Sequence, residues 1–129
     1  IVNNFGKENL DYIKDDFLKQ IMKGPYGAIP KLIKTIHFHP EFPENHNIKI
    51  TNKKLPYASV WNKENWEIRN KKEVIDNLVD KGYDILDNNS TILDSFSKFQ
   101  NNYENNSDTV KTIEKDTELM IVNESKKLD

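Results

Sequence analysis

Tyr57-Ala58-Ser59-Val60-Trp61-Asn62-Lys63-Glu64-Asn65-Trp66-Glu67-Ile68-Arg69-Asn70-Lys71-Lys72-Glu73 is the stretch whose reading decides the fold. Tyr57 to Trp61 and Trp66 to Arg69 are short runs carrying aromatic and β-branched residues, and Asn62 to Asn65 is a tight polar connection between them. That is the form of a β-hairpin. Asn70, with Glu73 three residues on, has the form of a capping box in which Asn replaces Ser or Thr. It opens a helix through about Leu86, with Val74, Ile75, Leu78 and Val79 recurring at helical spacing. Gly82 falls late in that helix, where it would end or kink it.

Upstream, Asn47 to Thr51 alternates polar and apolar residues, with Ile48 and Ile50 on one face. The turn-rich Asn52 to Pro56 joins this strand to the hairpin, so the three strands form an antiparallel meander. Before it, Leu10, Ile13, Phe17, Leu18 and Ile21 predict a helix from Asn9, its candidate N-cap, to Met22. Gly24-Pro25 stops that helix. A second is predicted over Ile29 to Phe38, with Pro30 in its first turn and Leu32, Ile33 and Ile36 as its apolar stripe. Pro40 and Pro43 forbid its continuation. Ile1 to Lys7 reads as the end of a linker, and the chain itself as a fragment of a longer protein.

Beyond about Asn88 the character changes. Ile92, Phe96, Phe99 and Tyr103 are spaced by four, three and four, the alternation of a coiled-coil seam. The same count continues through Asn106, Val110, Ile113, Thr117 and Met120, weakened at Asn106 and Thr117. Ser107-Asp108 offers a second helix start, which leaves one helix or two. The expected architecture is α+β: two N-terminal helices, a three-stranded antiparallel meander, a capped helix and a C-terminal helical tail. In domain terms, residues 1–88 form the core, with 1–8 a linker remnant, and residues 89–129 the tail.

Composition narrows the classes of function. Of 129 residues, 36% are hydrophobic and 31% charged, with a net charge of −2. One domain is expected, with part of the chain solvated. No global positive field is present to hold a nucleic-acid backbone. There is no cysteine, which excludes disulfides and thiolate metal sites. No apolar run is long enough to cross a bilayer, so a membrane partner is not expected.

Three constellations carry chemistry. All three histidines lie in His37-Phe38-His39-Pro40-Glu41-Phe42-Pro43-Glu44-Asn45-His46-Asn47. His37, His39 and His46 could ligate zinc or another divalent ion, with Glu41 or Glu44 as a fourth ligand. Alternatively, His46 between Asn45 and Asn47 could serve as the base of a metal-dependent nuclease. The plainer reading is structural: a helix-end imidazole at His37, with loop and turn residues after it. Tyr57, Trp61 and Trp66 could stack bases, with Lys49, Lys53, Lys54 and Arg69 as nucleic-acid contacts. The reading preferred here is that the tryptophans cover the core against the capped helix. The third is the tail stripe, which needs a partner or the core to cover it.

Several stretches resemble proteins of giant DNA viruses of amoebae and related protists. They are Phe5-Gly6-Lys7-Glu8-Asn9-Leu10-Asp11-Tyr12-Ile13, Gly27-Ala28-Ile29-Pro30-Lys31-Leu32-Ile33-Lys34, Pro43-Glu44-Asn45-His46-Asn47-Ile48, and Trp66 before the capped helix. In those proteins a zinc finger and an asparagine-rich linker often precede such a domain. The resemblance implies a viral protein in the host cytoplasm or viral factory, whose nucleic-acid contacts belong to the finger. Fingers need cysteines, and none stands here.

The expected function is therefore a non-catalytic interaction and oligomerisation module, accessory to nucleic-acid binding elsewhere in the parent chain. Ile92, Phe96, Phe99, Tyr103, Val110 and Ile113 would carry association into a homo-oligomer or onto a protein partner. The rival expectation is a metal-dependent nuclease or metal-binding domain built on His37, His39 and His46.

Overall fold

The structure, a computed structural model, describes residues 1–90 and 94–128. Its elements run α1 (Asp15–Met22), α2 (Pro25–Phe38), a single 3₁₀ turn (Pro43–Asn45), β1 (Ile48–Lys49), β2 (Tyr57–Asn62), β3 (Asn65–Asn70), α3 (Lys71–Asn88), α4 (Asp94–Asn105) and α5 (Ser107–Lys127). The strands form one antiparallel sheet in the order β1-β2-β3. This is the expected α+β order.

Helix α2 is the centre of the molecule and packs against α1, α3, α4 and α5. Ala28, Ile29, Leu32, Ile33, Ile36 and Phe38 are all buried on it. A helix this apolar on most of its circumference has to be surrounded. It starts at Pro25 rather than Ile29, because proline at the first helical position gives up only an amide that would be unpaired anyway. Pro30 consequently lies inside the helix rather than in its first turn, leaving the Tyr26 carbonyl without its usual i+4 donor.

The start of α1 also differs from the expectation, and the reason is long-range. Asn9 donates its amide to Asn45 Oδ1 at 3.0 Å and accepts at its carbonyl from Asn45 Nδ2 at 2.7 Å. Its own side chain closes a turn onto the Asp11 amide. The segment before Asp15 is thus held by a buried asparagine instead of by helical bonds. The residues expected to be a linker remnant are likewise tied down. The Asn3 amide donates to the Glu44 carbonyl and the Phe5 amide to the Trp61 carbonyl, both at 2.7 Å.

Helix α3 starts where the sequence places it, with Asn70 Oδ1 accepting from the Glu73 amide at 3.0 Å. Gly82 neither ends nor kinks it. A Cβ there would lie 3.2 Å from Ile29 Cγ2, so glycine lets α3 approach α2 closely.

The tail is two helices. Asn106 caps the second, its Oδ1 accepting from the Asp108 amide at 3.0 Å. Both belong to the core: Phe96, Phe99, Ile113, Ile121 and Val122 are buried in one cluster with Leu32, Ile48, Val60 and Val79. The division into a core of 1–88 and a separate tail therefore does not describe this structure, in which α5 packs along α2 and reaches α3 and β1.

Candidate functional site

The three constellations meet different fates, and the tail stripe is the simplest. Phe96 is 1% exposed, Phe99 0% and Ile113 2%, so these side chains are spent inside one copy of the chain. Tyr103 stacks on Tyr83, ring centroids 3.9 Å apart and planes within 3°. Val110 is half-buried, and Ile92 lies outside the described residues. The four-three spacing is real, but its partner is the rest of the chain.

The histidines are held apart by their own hydrogen bonds. His37, on the last turn of α2, is buried, with Nδ1 2.8 Å from Asn47 Oδ1. The Asn47 amide nitrogen donates to Glu8 Oε2 at 2.7 Å and to the Asn3 carbonyl at 3.2 Å, so Asn47 Oδ1 is the acceptor and His37 Nδ1 carries the proton. Burial holds the His37 pKa below its usual 6.5 against the opposing pull of Glu8. The ring therefore sits neutral beside a cavity of about 320 Å³ that Gly6, Glu8 and Lys81 also line. His39 accepts the Glu41 amide at Nδ1, and its ring lies edge-on to Tyr12 and Phe42. His46 Nε2 is 2.8 Å from the His39 carbonyl, to which it donates. Among the described residues, no three His, Asp or Glu side chains are placed to hold an ion together. The structure does not assemble the expected ligand set.

What this region does build is a polar clasp. Asn45 and Asn47 are both 0% exposed. Asn45 uses all four of its hydrogen-bonding positions, accepting from Asn3 Nδ2 and the Asn9 amide and donating to the Asn9 carbonyl and Tyr12 Oη. A buried network satisfied this fully fixes one arrangement of the chain. The stretches Phe5–Ile13 and Pro43–Ile48 meet through it.

The aromatic constellation is where the structure departs most from the sequence reading. Register pairs Trp61 with Trp66, Ser59 with Ile68, Tyr57 with Asn70 and Lys49 with Ser59. Successive side chains alternate between faces, so Lys49, Tyr57, Ser59, Trp61, Trp66 and Ile68 share the face opposite Ala58 and Val60. Ala58 and Val60 are buried against the helices. The other face is open: Tyr57 is 53% exposed, Trp66 37% and Ile68 72%. Trp61 and Trp66 meet edge to face at 5.5 Å, and the Lys49 ammonium sits 4.3 Å from the Trp66 ring centroid. The tryptophans do not cover the core; with Ile68 they form an apolar outer face on the sheet. Sequence reasoning passed over Ile68, although the alternation of the quoted strand places it beside Trp66.

The four basic residues proposed for nucleic acid do not converge. Lys49 is on the outer face. Arg69, paired in register with Ala58, is on the opposite one, 2.9 Å from Glu67 Oε1 and over the Phe5 ring at 6.0 Å. Lys53 and Lys54 stand in the loop before β2, with the Lys54 amide turned onto Asn52 Oδ1. No described helix is long and apolar enough to cross a membrane.

Comparison with family models, with curated proteins and with solved structures found no match.

Proposed function

We propose that the chain is a non-catalytic interaction module that docks another polypeptide through the outer face of its sheet. The observation that carries this reading is the exposure of Tyr57, Trp66 and Ile68 together on the terminal hairpin. A contiguous apolar face on an edge strand is a liability for a chain that stays alone and an asset for one that is covered. Aromatic side chains ringed by polar ones are also the composition of protein-binding surfaces. Stacking of nucleic-acid bases is less well served. Lys49 occupies one side of Trp66, Trp61 abuts it, and the guanidinium of Arg69 is engaged by Glu67. Covering this face would bring together any nucleic-acid-binding parts carried on the same polypeptides, at the high effective concentration that linkage gives.

A photo-crosslinking residue at position 68, in the cells that make the protein, tests the reading. Polypeptide adducts that disappear with Trp66→Asp are expected. Adducts to nucleic acid, or a yield no greater than from the same residue at exposed Lys98 on α4, would remove it.

A further inference from the structure

We propose that the edge of this hairpin pairs with a second copy of the same chain, joined β3 to β3 across a twofold axis at Ile68. The pairing goes beyond the outer-face reading above: it uses the backbone edge of β3 and leaves that face open to a further partner. Among the described residues, β3 is the end strand of the sheet and pairs with β2 alone. Asn62 and Asn65 close a two-residue turn with Lys63 at φ 50° and Glu64 at φ 65°, a geometry whose closing pair is hydrogen-bonded. Hydrogen-bonded pairs then alternate along an antiparallel ladder. The backbone groups of Asn65, Glu67 and Arg69 therefore face β2, and those of Trp66 and Ile68, with the Asn70 amide, face outward, while the Asn70 carbonyl opens helix α3. Among the described residues, the backbone bonds outside regular ladders and helices give Trp66, Ile68 and the Asn70 amide no partner on that edge.

An antiparallel copy must set outward-facing residues opposite outward-facing residues, which leaves a short menu of registers centred on this strand. With Glu67 opposite its own counterpart, or Arg69 opposite its own, like charges face each other across the shortest cross-strand distance, which disfavours pairing. With Ile68 on the axis, each Glu67 faces the Arg69 of the other copy, Ile68 packs on Ile68, and Trp66 lies opposite Asn70. The strand Trp66-Glu67-Ile68-Arg69-Asn70 is thus complementary to itself in charge only in this register. The ion pair already made within one strand, Arg69 Nη2 to Glu67 Oε1 at 2.9 Å, becomes half of a row of four alternating charges. On the opposite face, the exposed Trp66 and Ile68 of both copies become one continuous apolar surface. The interface is isologous, as a closed dimer requires. Three strands from each copy give a sheet of six.

Sedimentation equilibrium of the whole chain, with circular dichroism to confirm folding of each variant, decides the matter. A concentration-dependent dimer is expected for the natural sequence. Glu67→Arg and Arg69→Glu alone each replace two opposite-charge pairs by two like-charge pairs, and each is expected to weaken the dimer about tenfold to a hundredfold. Mixed in equal amounts, those two variants are complementary and are expected to form a heterodimer. The double variant Glu67→Arg/Arg69→Glu regains the homodimer. A chain that stays monomeric at millimolar concentration overturns the proposal, and polypeptide adducts from position 68 in that case would leave the docking face standing without it. A dimer abolished by Trp66→Asp but indifferent to both charge reversals also overturns the pairing, again leaving the face.

Discussion

Thr117 is a hydroxyl-bearing residue with 0% exposure, in the interior of α5, and its Oγ1 has no hydrogen-bond partner among the described residues. Its position in the heptad count marks it as inward-facing, but spacing does not say whether a hydroxyl will be paired. Val has nearly the same shape without the unpaired polar atom. Thr117→Val is therefore expected to raise stability by about 1 kcal/mol, read as a melting midpoint a few degrees higher. An unchanged or lower midpoint would mean that the hydroxyl has a partner. Asn45 and Asn47 show the opposite case, buried amides with their bonds made. In the sequence they look like turn and strand-entry residues, because asparagine is common in both settings. Their burial depends on Asn3, Asn9 and Glu8 arriving from some forty residues away, which no local pattern announces.

At the scale of elements, local chemistry decided where local chemistry was strong. Asn70 with Glu73 marks a helix start that the structure keeps, because the cap is satisfied within four residues. Asn9 was an equally good cap on composition, yet Asn45 captures it, and the helix begins six residues later at Asp15. Pro25 competes with Pro30 for the first turn of α2 and wins by standing earlier. The β2–β3 turn is the element in which sequence and geometry agree least. Both of its central residues have positive φ, and neither Lys63 nor Glu64 is of the Asn or Gly type that such turns favour. Lys63 is partly compensated, its amide donating to Asn4 Oδ1 at 3.0 Å. Glu64→Gly is expected to relieve about 1 kcal/mol of backbone strain and to raise the urea midpoint without changing the denaturant slope. A lower midpoint would show that the glutamate side chain makes a contact worth more than the strain.

For the whole molecule, the sequence reads the order of elements correctly but misassigns which surface is left over. The spacing of Phe96, Phe99 and Ile113 says that one side of the tail is apolar. Whether that side meets another chain or α2 is decided by tertiary packing, and in the structure both α4 and α5 pack on α2. Once α4 and α5 close over α2, Trp66 and Ile68 stay exposed on β3, with Tyr57 beside them on β2. The same closure brings carboxylates together. Glu114 on α5 meets Asp76 on α3, while Lys72 lies 3.3 Å from Asp76 Oδ1. Desolvation, with Asp76 beside it, pushes the Glu114 carboxyl up to about 7. Asp76, accepting the hydrogen bond from Glu114, is held below its usual value. A carboxyl whose folded pKa lies above its unfolded value of 4.5 stabilises the fold below that value and loses the contribution as pH rises through 7. His37 acts in the opposite sense: its folded pKa lies below 6.5, so its contribution is complete above 6.5 and is lost as pH falls toward the folded value. Between pH 4.5 and 6.5 the two pull in opposite directions, and the natural chain is expected to show a shallower dependence of melting midpoint on pH there than either group alone would give. Glu114→Gln removes one side of that balance. Its midpoint should exceed the natural chain's at pH 8, where Glu114 and Asp76 would otherwise both be charged, and should fall steadily on acidification as His37 is forced to protonate. Superimposable pH profiles for the two proteins would mean that Glu114 and Asp76 do not share a proton, and that the contact of α5 with α3 is not the one described.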